Sequence, residues 1–277
     1  MILYYNITMT NSRFEVTFLG TNGSNAYNNG KSRKKYGTNS ICVAVSAGDE
    51  TLIFDAGSGI SGLGYLRDYY KGKMNLFISH YHVDHLSGLL FYPGMFDPYH
   101  KLDIYGSGNP HRVIKKFISP PLHPVNLNET KVNLTFYPLE PGGQIALPDG
   151  IKIRTYKLSH PGGSLGYRVE YNNKVFCICT DVGLQDHEND RGLHEFMWKA
   201  DLLVLDSFFD DGKIIKSWGH SSWRECAEWA KRVKAKKLAL FHYDFRFSDS
   251  EIGDMESNAK KIFPNTFAAA DHMQILV

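Results

Sequence analysis

A chain of 277 residues with 43% hydrophobic and 13% aromatic side chains has ample material for a packed core, which excludes an intrinsically disordered protein. A formal net charge of +2 argues neither for nor against a polyanion as partner. No apolar run approaches the roughly 18 residues a spanning helix needs. The apolar opening Met1-Ile2-Leu3-Tyr4-Tyr5 lacks a basic leader, so no membrane partner and a cytoplasmic location are expected.

In chain order, residues 14–19, 40–45, 51–55 and 75–78 are apolar, rich in β-formers and punctuated by Gly20, Gly23, Gly57, Gly59 and Gly62, which predicts four strands. A helix is expected over 62–70 and another from 84 to 93. Residues 94–130, with the proline cluster Pro120-Pro121-Leu122-His123-Pro124, read as an irregular lid or interface segment. Strands resume at 132–137, 151–158, 166–171, 174–179 and 202–206, with a short one at 238–241. The pairs Ser222/Glu225 and Ser248/Glu251 form capping boxes that open helices over 222–233 and 249–263. Cys177 and Cys179 alternate along one predicted strand, and none of the four cysteines has metal-type spacing. No linker divides the chain, so residues 1–277 are expected to form a single α/β domain of two stacked sheets with helices outside.

The densest chemistry lies in Ser79-His80-Tyr81-His82-Val83-Asp84-His85, directly after the predicted strand 75–78. Neutral imidazole and carboxylate both bind divalent zinc well, so three histidines and an aspartate on one strand-end loop point to a metal centre. His160, Asp181 and His242 also follow apolar strands, where loops can converge on one sheet edge.

Together, His80-x-His82-x-Asp84-His85, His160, Asp181 and His242 resemble, in order and spacing, the signature of the metallo-β-lactamase superfamily, and Asp55 in Ile53-Phe54-Asp55-Ala56-Gly57 matches its first motif. The resemblance implies an αββα sandwich with two divalent ions per chain, zinc first and manganese possible. It places one metal on His80, His82 and His160 and the second on Asp84, His85 and His242, bridged by Asp181. Asp55 would hold the ligand loop, and Asp84 would also count among the catalytic residues.

The stretch from Leu202 to Ser207, followed by Gly219-His220-Ser221-Ser222, resembles the ribonuclease Z branch and implies His220 as general acid with Asp206 as its orienting partner. An alkoxide leaving group needs such a proton, whereas a thiolate does not. The implied reaction is attack on phosphorus by a hydroxide held between the metals. The long RNA-gripping arm of that branch is absent. Of two basic clusters, the one spanning Lys31 to Lys35 is a candidate for substrate phosphate, and Lys231 to Lys237 reads as a solvated helix end. The expectation is therefore a phosphodiesterase for a small phosphodiester or nucleotide, most of all a cyclic nucleotide, with structured RNA disfavoured as partner. A homodimer through an apolar 89–122 patch is also expected. The alternatives are a thioester or carboxylic ester hydrolase of glyoxalase II type, and an RNA-processing nuclease or RNA-binding protein.

Overall fold

The computed structural model describes residues 13–26, 33–65 and 73–277. The opening apolar run, the start of the first basic cluster at Lys31 and the end of the predicted 62–70 helix lie outside the described residues.

Two seven-stranded sheets stack face to face. Across the first, the order is Gln274–Leu276, Phe14–Gly20, Cys42–Ala47, Glu50–Phe54, Lys73–Phe77, Lys101–Ser107 and Asn133–Leu139. Across the second it is Thr266–Ala268, Leu238–Phe241, Leu202–Asp206, Lys174–Cys179, Ser164–Tyr171, Lys152–Leu158 and Gln144–Ala146. Each sheet is mixed, with a parallel half and an antiparallel half. Alternation along the strands divides the apolar residues between layers. Phe54, Phe77, Tyr167, Phe176, Val204 and Phe241 meet between the sheets. Leu203 and Leu205, one position out of phase with Val204, face the outer helices.

Four α-helices are present among the described residues: α1 (Pro110–Phe117), α2 (Arg191–Met197), α3 (Trp223–Arg232) and α4 (Asp249–Ile262). Both predicted capping boxes form, on Ser222/Glu225 and Ser248/Glu251, and the helices they open pack on the second sheet through Trp229, Ala230, Ile252 and Met255.

Several expectations are corrected. The helix expected from 84 to 93 is instead a chain of 3₁₀ turns, Val83–His85, Leu89–Phe91 and Pro93–Phe96, because Gly88 and Pro93 interrupt it. Residues 94–130 are not irregular. They contain the strand Lys101–Ser107 and α1, which the surrounding prolines and polar residues hid from a periodicity argument. The apolar 89–122 patch is largely core, since Leu89, Leu90, Met95 and Ile118 are buried beneath the first sheet. Phe91, Phe96, Tyr99 and Leu122 are its exposed large hydrophobic side chains.

Candidate metal centre

Six strands end at the same edge of the sandwich, and each delivers a functional side chain just past its last residue. Asp55 follows Glu50–Phe54, His80 to His85 follow Lys73–Phe77, and His160 follows Lys152–Leu158. Asp181 follows Lys174–Cys179, Asp206 closes Leu202–Asp206, and His242 follows Leu238–Phe241. Asp55, Asp181 and His242 adopt left-handed backbone with φ of 60°, 56° and 58°, a conformation that costs a non-glycine residue of order 1 kcal/mol or more and clusters at functional sites. The turn at each of these positions redirects the chain abruptly at the sheet edge.

The side chains form two adjoining groups able to hold an ion, His80, His82, His160 and Asp181 in one, and Asp84, His85 and His242 in the other, and a third set, Asp181, His220 and His242, overlaps both. Asp181 reaches both. Its Oδ1 lies 3.8 Å from His80 Nε2 and 3.5 Å from His160 Nε2, and its Oδ2 lies 3.2 Å from both His85 Nε2 and His242 Nε2. Asp84 Oδ2 stands 3.4 Å from His85 Nε2 and 3.6 Å from His242 Nε2.

Two observations test whether cations fit here. First, Nε2 of His80, His85 and His242 is buried with no hydrogen-bond partner, a state that native interiors seldom leave uncompensated. Second, Asp55, Asp84, Asp181 and Asp206 bring four buried carboxylates together. Burial disfavours charge on His242, yet Asp181, Asp206 and Asp84 push its imidazole up to about 10. Burial likewise opposes charge on His85, and Asp181, Asp55 and Asp84 overcome it and raise the ring well above its ordinary value. The pocket calls for positive charge, and its imidazole and carboxylate donors suit a divalent ion of the zinc or manganese type.

The candidate ligands are themselves held. Asp55 accepts from the Ser79 backbone N–H (2.8 Å) and hydroxyl (2.8 Å) and from His85 Nδ1 (2.9 Å), while Ser79 Oγ also lies 3.1 Å from His80 Nδ1. His160 Nδ1 donates to the Gly219 carbonyl at 3.0 Å, which turns Nε2 toward Asp181. A side chain on Gly23 would place its Cβ 2.5 Å from the His242 ring, so only glycine fits beside that ligand. Asp84 is fixed from the same loop, by the Ser24 N–H at 2.8 Å.

His220 and Asp206 meet as a pair, Nδ1 donating to Oδ2 at 2.6 Å. Phe208 stacks on the His220 ring at 4.5 Å and 17°, and the His242 ring lies 5.3 Å from it at 28°. Burial lowers the affinity of His220 for a proton, but the charge and hydrogen bond of Asp206 outweigh it and raise the pKa above the ordinary value.

Two supports escape the sequence. Ser79 heads the histidine motif and links Asp55 to two ligands, a role its position alone does not disclose. His187 accepts the Ser159 N–H at 3.0 Å and donates to Asp190 at 2.7 Å, steadying the residue before His160. The remaining histidines stay outside both groups, His123 packing on Phe117 and His100 on Tyr92. Arg33, offered as a phosphate contact, is buried and committed to the carbonyls of Gly37 and Phe247 and the side chain of Asn22.

Comparison with known proteins gives the wider setting. The family described as the beta-lactamase superfamily domain matches residues 53–243. A protein of Archaeoglobus fulgidus named ribonuclease Z is 24% identical over 317 aligned positions, covering 95% of this chain and 98% of its own length. Among solved structures, the metallo-beta-lactamase fold protein YhfI from Bacillus subtilis superposes with a TM-score of 0.74 at 21% identity, covering 95% of this chain and 99% of that one. The short form of human tRNase Z gives 0.67 at 23%, covering 94% and 98%. The structural likenesses show the shared fold.

Proposed function

We propose an RNA-cutting function from one premise: the chain belongs to the beta-lactamase superfamily. It is a metal-dependent hydrolase of phosphodiester bonds. Within that class we read it as a nuclease for structured RNA, with precursor transfer RNA as the first substrate to test. Curated relatives named ribonuclease Z overturn the expectation that structured RNA is an unfit partner. That expectation gave weight to a missing arm, but these relatives align with more than nine-tenths of this chain, so the body of the fold is what they have in common. The cyclic nucleotide favoured from sequence draws no support from those names.

The observation that carries the phosphodiester reading is the His220–Asp206 pair at the rim of the ligand groups. In this reading His80, His82 and His160 hold one ion, Asp84, His85 and His242 a second, and Asp181 stands between them. Such ions supply Lewis acidity, lowering the pKa of water and neutralising phosphoryl oxygens. The protein's own part is proton management. Asp206 takes the Nδ1–H of His220 and fixes the ring, so that Nε2 presents the other proton to the leaving ribose oxygen. The raised pKa favours retention of that proton, and Phe208 stacks on the ring.

The test is a side-by-side hydrolysis assay of metal-loaded protein with a precursor transfer-RNA transcript, short linear RNA, a cyclic mononucleotide and a thioester. The transcript should be cut fastest. Faster turnover of the thioester, or of the cyclic nucleotide with the transcript left intact, would sink the reading.

A further inference from the structure

The alignment with the Archaeoglobus relative is longer than this chain, so that relative has segments with no counterpart here. A protein without them must hold RNA with its own body, and α1 offers the means. Its eight residues expose His111, Arg112, Lys115 and Lys116 while burying Pro110 and Ile114. Lys115 and Lys116 occupy the last turn, where the helix dipole favours cations. His111 and Arg112 occupy the first turn, which contains no acid and where the dipole disfavours positive charge. Helix stability therefore does not account for the set.

Arg112, Lys115 and Lys116 make no ion pair with a described carboxylate, whereas Arg154, Arg224 and Lys236 are paired with Glu170, Asp211 and Asp201. The three unpaired cations line a groove of about 280 Å³ together with Ser119, Asn126 and Asn128. Among the described residues no carboxylate lines it, and the nearby Glu129 turns its Oε1 back onto the N–H and side-chain amide of Asn126, both at 2.8 Å. Every polar side chain facing the groove can donate a hydrogen bond, which is what phosphate oxygens require.

Tyr81, between His80 and His82, donates to the Ser107 carbonyl at 2.7 Å, tying the ligand loop to the end of the strand that leads into α1. From there α1 runs about 12 Å over the outer face. We propose that this face of α1 is a docking surface for the RNA sugar–phosphate backbone, holding the body of the substrate while the scissile diester lies at the ligand cluster. The inference rests on the RNA reading above.

The test compares the full-length, metal-loaded protein with a triple variant, Arg112→Gln, Lys115→Gln and Lys116→Gln, which keeps helix propensity and removes the charge. Affinity for a transfer-RNA-sized transcript is measured by anisotropy across a salt series, alongside turnover of bis(p-nitrophenyl) phosphate. Each lost phosphate contact removes about 0.9 from the slope of log affinity against log salt on a duplex, so the slope should flatten by roughly 2 to 3 and binding weaken about tenfold or more. Turnover of the small diester should not change. Equal affinity and slope in the two proteins would overturn the docking surface and leave the nuclease reading standing. A parallel fall in small-diester turnover would overturn it too, since the cations would then serve the site itself. Failure of the unaltered protein to bind or cut the transcript would remove both the reading and the inference.

Discussion

Asp181 is the side chain on which both ligand groups depend, because one oxygen faces His80 and His160 and the other faces His85 and His242. Asp181→Asn preserves shape and removes the charge that makes a bridge possible. Turnover is expected to fall at least about a hundredfold, and elemental analysis should show a lower metal content than in the unaltered protein. Retention of both would remove Asp181 from its proposed place. His220 gives a sharper chemical test. His220→Ala should lose roughly 10²- to 10⁴-fold in turnover of an unactivated diester, the range for general acid catalysis. The loss should be much smaller with a p-nitrophenyl leaving group, which departs without a proton. Equal losses on both substrates would mean that the ring does not protonate the leaving group.

Among the elements, the parallel strands of the second sheet are tied together ahead of the site by Asp201, which directly precedes Leu202–Asp206. Its carboxylate accepts the Val175 N–H at 2.9 Å, Lys236 Nζ at 2.7 Å and Lys174 Nζ at 3.3 Å. Burial would raise its pKa, but Lys236, the Val175 N–H and Lys174 together hold it below the ordinary carboxylate value. A depressed folded-state pKa stabilises the protein above the unfolded value of about 4, and that stabilisation is lost as pH falls through the folded value. Asp201→Asn should therefore be less stable than the parent at pH 6, and the gap should close toward pH 3. Asp201→Ala leaves the Val175 N–H without its acceptor and should cost about 1–3 kcal/mol. Urea midpoints at the two pH values decide the matter, and a gap that is constant with pH would contradict it.

At the scale of the whole molecule, the site joins two sheets whose shared interior is packed chiefly with apolar side chains. His80 and His85 come from the first sheet and His160, Asp181 and His242 from the second, so an ion held between them fastens the two layers at one edge. Binding confined to the folded state stabilises it by about 4 kcal/mol when free ion stands at a thousand times its dissociation constant. A chelator should lower the melting temperature by several degrees, and added zinc should restore it. Superimposable melting curves with and without chelator would show that the cluster holds no ion that matters to folding.

The sandwich and the candidate ligands were legible in the order of residues along the chain. His80 to His85 are contiguous, and the other ligands each stand immediately after a strand whose apolar pattern is strong, so local order along the chain marks them. Residues 202–206 and 238–241 likewise have strand boundaries that agree with the pattern, because each is apolar apart from the closing Asp206. What only the tertiary structure decided lies in contacts between distant residues. Asp55 and Ser79 stand 24 positions apart, His187 and Ser159 28, and Gly219 and His160 59, and no periodicity encodes such pairs. The same holds for charge. Arg33 and Arg112 are both cations in polar, glycine-containing stretches of sequence, yet one is buried among carbonyls and the other stands exposed over an acid-free groove. Composition counts a charge, but only packing decides whether it is used up inside the fold or left on the surface for a partner.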